Sequence, residues 1–167
     1  PYGPHWPQLP KKSPQEGFIQ QYLQPLLAME MLYSDENKVL HFKDNEKNWT
    51  AKITEFYQLY LNFEAAQEDI NFLSAFAFPQ KAAHGFYGFT KKNFSHGPVK
   101  PLFIKGQVSG PVTIGLQLLA SDGIPALYKD ELRDILVKTL ALNALWQVKV
   151  LQEKGFPVLL FIDDPGL

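Results

Sequence analysis

The sequence predicts an α/β fold built on a parallel sheet. Three observations carry that reading. Phe156-Pro-Val-Leu-Leu-Phe-Ile162 is the apolar run expected of a strand buried on both faces. Lys100 to Val108 is a second strand-like run. Between them, Asp130 to Glu153 repeats apolar residues every three or four positions, the pattern of a long one-sided helix. Strand, long helix, strand is a βαβ unit, and its two strands lie parallel. The last strand runs into Asp163 and Asp164, and the chain stops at Leu167. Sites of α/β folds lie at the carboxyl ends of strands. The chain is therefore expected to be the front part of a larger fold, carrying one wall of a site.

The elements follow in order. Residues 1–14 hold Pro1, Pro4, Pro7, Pro10 and Pro14, so this stretch is expected to be extended. Pro14 then opens a short helix through Leu23. From Leu26 to Phe42, two apolar stretches flank Ser34-Asp-Glu-Asn37, a hairpin signal. The second stretch is short, which predicts an appendage and not a core ladder. Residues 43–99 read as a helical region. A helix after Asn48 or Thr50 would carry Ile53, Phe56, Tyr57, Tyr60 and Leu61 on one face. Phe72 to Phe78 is apolar and expected to be buried, and Pro79 to Phe89 reads as another helix. Residues 100–162 form the strand–helix–strand unit. Ser109 to Thr113 turns into a short helical piece. The long helix is expected to bury Leu132, Ile135, Leu136, Thr139, Leu142, Trp146 and Val150, leaving Lys138 and Lys149 solvated. Gly155 is placed to end it.

Composition bounds the function. With 167 residues, 46% hydrophobic and 20% charged, the chain suits one domain with a substantial core and argues against disorder. Sixteen basic against seventeen acidic residues give a net charge of -1, which signals neither a nucleic-acid partner nor a membrane surface. There is no cysteine, so disulfides, thiolate metal ligands and a cysteine nucleophile are excluded within the chain. Cytoplasmic residence fits this usage. His5, His41, His84 and His96 are scattered without a ligand spacing, and no metal site is assigned to them.

Asp163 and Asp164 are the sharpest candidates for substrate binding. Neighbours on an extended segment point opposite ways, so one acid faces a ligand while the other caps the following turn. Asp163 is the stronger candidate for the ligand. Gln107, Ser109, Gly110 and Thr113 form a second group at a strand end. There, exposed N–H groups take an anion, or the turn is structural, with Thr113 a local cap. Trp6, with His5 and Gln8, either walls the site with a flat apolar face or packs an irregular terminus onto the helices.

Three segments occur in a telling order: His5-Trp-Pro-Gln-Leu-Pro10, Lys105-Gly-Gln-Val-Ser-Gly-Pro-Val-Thr113 and Phe161-Ile-Asp-Asp-Pro-Gly-Leu167. Together with Pro125 to Asp134 and Ala144-Leu-Trp-Gln147, they resemble the cobalamin-independent methionine synthase and uroporphyrinogen decarboxylase superfamily. The resemblance covers essentially the whole chain. It implies a (β/α)₈ TIM barrel, of which this sequence is the early part, truncated after the early strands. It also implies methyl transfer or a decarboxylase-like reaction on a small molecule, with this chain inactive alone. In the methionine synthases the first acid of an Asp-Glu-Pro-Ala motif contacts the amino group of homocysteine. That role falls to Asp163. The second acid is Asp164 here, one methylene shorter, and Gly166 stands for alanine. Zinc and a folate or corrinoid methyl donor are implied for the full-length parent only, since the zinc ligands belong to the later barrel. A binding or structural half-barrel, completed by a missing half or a self-associating partner, is the alternative.

Overall fold

A computed structural model describes residues 3–65, 70–94 and 100–167 of the chain. Pro1, His96 and the end of the expected 43–99 helical region lie outside the described residues. The fold is mixed α/β. Its strands are β1 (Leu32–Ser34), β2 (Leu40–Phe42), β3 (Ile104–Ser109) and β4 (Val158–Asp163). Its α-helices are α1 (Gln24–Ala28), α2 (Trp49–Ala65), α3 (His84–Thr90), α4 (Pro111–Gln117) and α5 (Asp130–Gln152).

The expected strand–helix–strand unit is present. β3 and β4 pair in parallel, from Ile104 opposite Val158 to Ser109 opposite Asp163. The chain between them forms α4, a short 3₁₀ turn and α5. The N-terminal segment extends this array on the far side of β3. His5 bridges Lys105 in parallel, and Lys105 N–H donates to the Pro4 carbonyl at 2.9 Å. Pro4 and Pro7 have no N–H to give, which fits a single bridge in place of a full ladder.

Strand period then divides the sheet into two faces. Ile104, Gly106 and Val108 are buried, and α5 packs beside β3 and β4. Lys105, Gln107 and Ser109 lie on the opposite face. On α5, the expected face is buried at Leu132, Ile135, Leu136, Thr139, Leu142 and Trp146, whereas Val150 is half-buried. Trp146 meets Phe86 and Phe78 with ring centroids at 5.0 and 5.4 Å. Acids in the first turn and Lys149 in the last suit the helix dipole. Gly155 follows with φ of 76°, a left-handed conformation that glycine adopts freely. Lys138 and Lys149 are half-buried, contrary to the solvated expectation. Lys138 pairs with Asp134 and lies 5.1 Å from the Tyr60 ring centroid, because its stem lies along α2.

Several expectations are corrected. The hairpin is not an appendage. β1 and β2 pair antiparallel, but Leu32, Leu40 and Phe42 are buried in the main core. Leu119 ties the hairpin down. Its carbonyl accepts from Phe42 N–H at 2.7 Å, and its N–H donates to the Leu40 carbonyl at 3.1 Å. Length misled here: three-residue strands enter the core because Leu119 supplies a third backbone partner. Leu26 belongs to α1 and not to the hairpin. The helix expected from Pro14 is a 3₁₀ turn at Pro14–Glu16 followed by further turns. The helix expected from Pro79 begins at His84, after a separate turn at Gln80–Ala82. Ala83, at φ of -154°, breaks the two apart. On α2, Phe56 is buried but Leu61 is exposed. In the apolar stretch that follows, Leu73, Phe76 and Phe78 are buried while Phe72 is exposed.

Among the described residues there are two two-stranded sheets, and neither closes into a barrel. β4 is an edge strand. Its run was expected to be buried on both faces, yet Leu159, Phe161 and Ile162 are 45%, 46% and 66% exposed. Among the described residues only β3 pairs with β4, and none pairs along its outer flank. No helix among the described residues is long and apolar enough to cross a membrane.

Candidate functional site

The carboxyl ends of β3 and β4 hold the candidate residues at matched height. Ser109 stands opposite Asp163, and Gln107 opposite Phe161. In-register parallel neighbours share a face, so these four side chains gather on the face turned away from α5. Lys105 joins them, with its Nζ 4.2 Å from the centre of the Phe161 ring. Gln8, Phe18 and Tyr22 come from the N-terminal third and close a cleft of about 60 Å³ over Gln107, Val108, Ser109 and Asp163.

Each group in the cleft has a distinct state. Asp163 is exposed at its rim. Its backbone carbonyl accepts from Gly110 N–H at 2.8 Å, which fixes the end of the strand and so the height of the side chain. Tyr22 is buried, and its hydroxyl donates to the Gln107 carbonyl at 3.1 Å. Burial, then the Asp163 charge, pushes the Tyr22 hydroxyl well above the ordinary tyrosine range, and Ser109 opposes this in part. Tyr22 is thus a neutral donor at any ordinary pH. Ser109 is also buried, with its hydroxyl donating to the Phe18 carbonyl at 2.6 Å. Its hydroxyl therefore orders the cleft wall. Gln107 is half-buried; its backbone carbonyl also accepts from Gln147 Nε2 at 3.0 Å, while its side chain lines the cleft. Gln8 donates to Gln21 Oε1 at 2.7 Å.

Asp164 points the other way. Val112 N–H and Thr113 N–H donate to its two carboxylate oxygens at 3.1 and 2.7 Å, and the Thr113 hydroxyl donates at 2.5 Å. Gly166 N–H in turn donates to that hydroxyl at 2.8 Å. Burial works against the Asp164 charge, but the Thr113, Val112 and Gly166 hydrogen bonds outweigh it and hold the carboxyl below its ordinary range. Asp164 thus takes the helix-capping role for α4, from the position just after β4. Gly110 makes this possible: a Cβ there would lie 2.2 Å from the Asp164 carboxyl carbon. The two adjacent acids thus divide as strand geometry requires, Asp163 onto the cleft and Asp164 onto α4.

Trp6 is not a wall of the cleft. It is fully buried and meets Phe86 and Phe78 edge-on at 5.5 and 5.7 Å. With the ring fully buried, no face of Trp6 is offered to a ligand. Tyr22 and Phe18 went unnoticed in the sequence. They sit in an unremarkable mixed stretch, and only the fold brings them beside residues more than eighty positions away. The residues described here do not compose a zinc site. No three His, Asp or Glu side chains gather to hold an ion among the described residues, and the chain has no cysteine.

The molecule is thus a mixed α/β protein with a carboxylate cleft at the carboxyl ends of a parallel strand pair. No family model, no curated protein and no solved structure matches the chain.

Proposed function

We propose that the chain forms the early β/α units of a (β/α)₈ barrel of the methionine synthase and uroporphyrinogen decarboxylase type, and that Asp163 binds the amino group of a small substrate. One observation carries the reading. Of the two adjacent acids, Asp164 is consumed by α4, while Asp163 stands exposed on a cleft at the strand ends. The parallel alignment of the His5 segment, β3 and β4 is consistent with consecutive barrel strands.

Size sets the assignment of groups. A cleft of about 60 Å³ admits an ammonium head but not a whole substrate, since sites for complete small molecules run to roughly 300–1,000 Å³. The substrate body lies over the strand ends, against walls supplied by other parts of a complete barrel. Asp163 supplies the charged acceptor, and the Gln107 amide a neutral partner. Tyr22 holds the Gln107 backbone and keeps a neutral surface beside the ammonium. The methyl-transfer or decarboxylation chemistry, with any zinc, folate or corrinoid, belongs to the rest of the barrel.

Calorimetric titration with homocysteine and with 4-sulfanylbutanoate, which lacks the amine, tests this reading. Homocysteine should bind at least tenfold more tightly, because a charge-assisted hydrogen bond contributes about 1.5–3 kcal/mol. Equal binding of the two would remove the amine-binding role.

The outer flank of β4, unpaired among the described residues, supports a second reading, a half-barrel module completed by another subunit. Exposed Leu159, Phe161 and Ile162 fit that use. Light scattering separates the two: a monomer at every concentration, with no complementing chain, counts against the half-barrel assembly.

A further inference from the structure

A second cleft, of about 540 Å³, lies away from Asp163, between the N-terminal segment and α3. Its walls are largely apolar, with Pro7, Leu9, Phe89 and Phe94 among them. Its polar side chains, among the described residues, are His84, His5 and Lys92. None of the carboxylates described in the structure lines it.

Glu16 stands behind His84. It is fully buried, and its carboxylate accepts from Leu9 N–H at 3.0 Å, His84 N–H at 2.6 Å and Gly85 N–H at 3.5 Å. His84 Nδ1 lies 2.6 Å from the same carboxylate. Burial opposes the Glu16 charge, but the bonds from His84, Leu9 and Gly85 outweigh it and keep the carboxyl below its ordinary range. An ionised carboxylate only accepts, so the ring proton is on Nδ1. Capping α3 requires only the two backbone N–H groups. The imidazole is an addition to the cap: a ring with fixed tautomer and orientation, 37% exposed, standing at a cleft wall. Its Nε2 has no partner among the described residues.

We propose that this cleft binds a small carboxylate with an apolar body. Lys92 and His84 Nε2 take the carboxylate, and Leu9, Phe89 and Phe94 take the body. In the complex the imidazole lies between two carboxylates, Glu16 accepting from Nδ1 and the ligand from Nε2. Among the described residues, His5 on the N-terminal segment and Lys92 beyond α3 are the other basic side chains at this wall.

Phenylacetate is the probe, titrated by calorimetry. Saturable binding is expected. Phenylacetamide, the neutral isostere, should bind at least tenfold more weakly, and His84→Gln should weaken phenylacetate by about tenfold to a hundredfold. Gly88 gives an independent check that does not touch the dyad. It lies on the cleft, and a Cβ there meets no atom within 4 Å. Gly88→Leu should narrow the cleft and weaken binding without unfolding the chain. Asp163→Asn should leave phenylacetate binding unchanged, which separates this site from the strand-end cleft. Absence of saturable binding to the native chain, equal binding of the amide, or full binding by folded Gly88→Leu would overturn the proposal.

Discussion

Removing the Asp164 carboxylate should loosen α4 far more than removing its neighbour's charge. Asp164→Ala deletes the acceptor for Val112 N–H, Thr113 N–H and the Thr113 hydroxyl. The site is half-buried, so water recovers part of the loss. Loss of a helix cap costs about 0.5–2 kcal/mol, and a hydrogen bond to a charged group contributes about 1.5–3 kcal/mol. These overlap and do not add, which sets the expected loss at roughly 2 kcal/mol. For a chain of this length that lowers Tm by about 4–8 °C. Asp163→Ala, at an exposed position, should change stability by less than about 0.5 kcal/mol. The effect also has a pH signature. The folded-state pKa of Asp164 is depressed, so its stabilisation is present above the ordinary aspartate value of about 4. It is lost as pH falls through the lower folded value. The gap between native and Asp164→Ala chains should therefore be full at pH 7 and narrow progressively below about pH 4. Urea unfolding at several pH values measures this. Equal losses for the two alanine variants, or a gap that stays constant into strong acid, would refute the division of roles.

Three further outcomes are expected. Trp146→Ala, at a site packed against Phe86 and Phe78, should lose about 3–5 kcal/mol in urea unfolding, and a loss below about 1 kcal/mol would mean the α5 face is misassigned. Gly85→Ala puts a Cβ 1.8 Å from the Pro7 carbonyl oxygen, so the N-terminal segment must lift from α3. A red-shifted tryptophan emission from Trp6 should report it, and an unchanged spectrum with native stability would contradict the contact. Tyr22 has a raised pKa, so its contribution to stability is present below about pH 10 and falls as pH climbs from there toward the folded value. Alkaline difference spectra of native and Tyr22→Phe chains should show one tyrosine that ionises only on unfolding.

The sequence made the βαβ unit legible because each part has a strong period or a strong run. The α5 face followed from three- and four-residue spacing, and β3 and β4 from apolar runs bounded by proline, glycine and acid. The pair of acids was legible for the same reason, since alternation along a strand sends neighbours apart. What sequence could not give depended on distant partners. The hairpin's place in the core rests on Leu119, more than seventy residues away. The burial of Trp6 rests on Phe78 and Phe86, and the Glu16–His84 pair spans 68 positions. Exposure of β4 was misread because a run that suits two buried faces says nothing about whether a neighbour is present.

The amine-binding role of Asp163 is the central claim, and one calorimetric comparison tests it most directly. Homocysteine is titrated into the proposed complete barrel carrying this sequence unchanged, with Asp163→Asn or with Asp164→Asn, each confirmed as folded by circular dichroism. The account predicts that Asp163→Asn weakens binding by about tenfold to a hundredfold, the worth of one charge-assisted hydrogen bond. Asp164→Asn should change affinity by no more than about twofold while lowering Tm. Equal affinities for the native chain and Asp163→Asn, or the larger loss at Asp164, would contradict it.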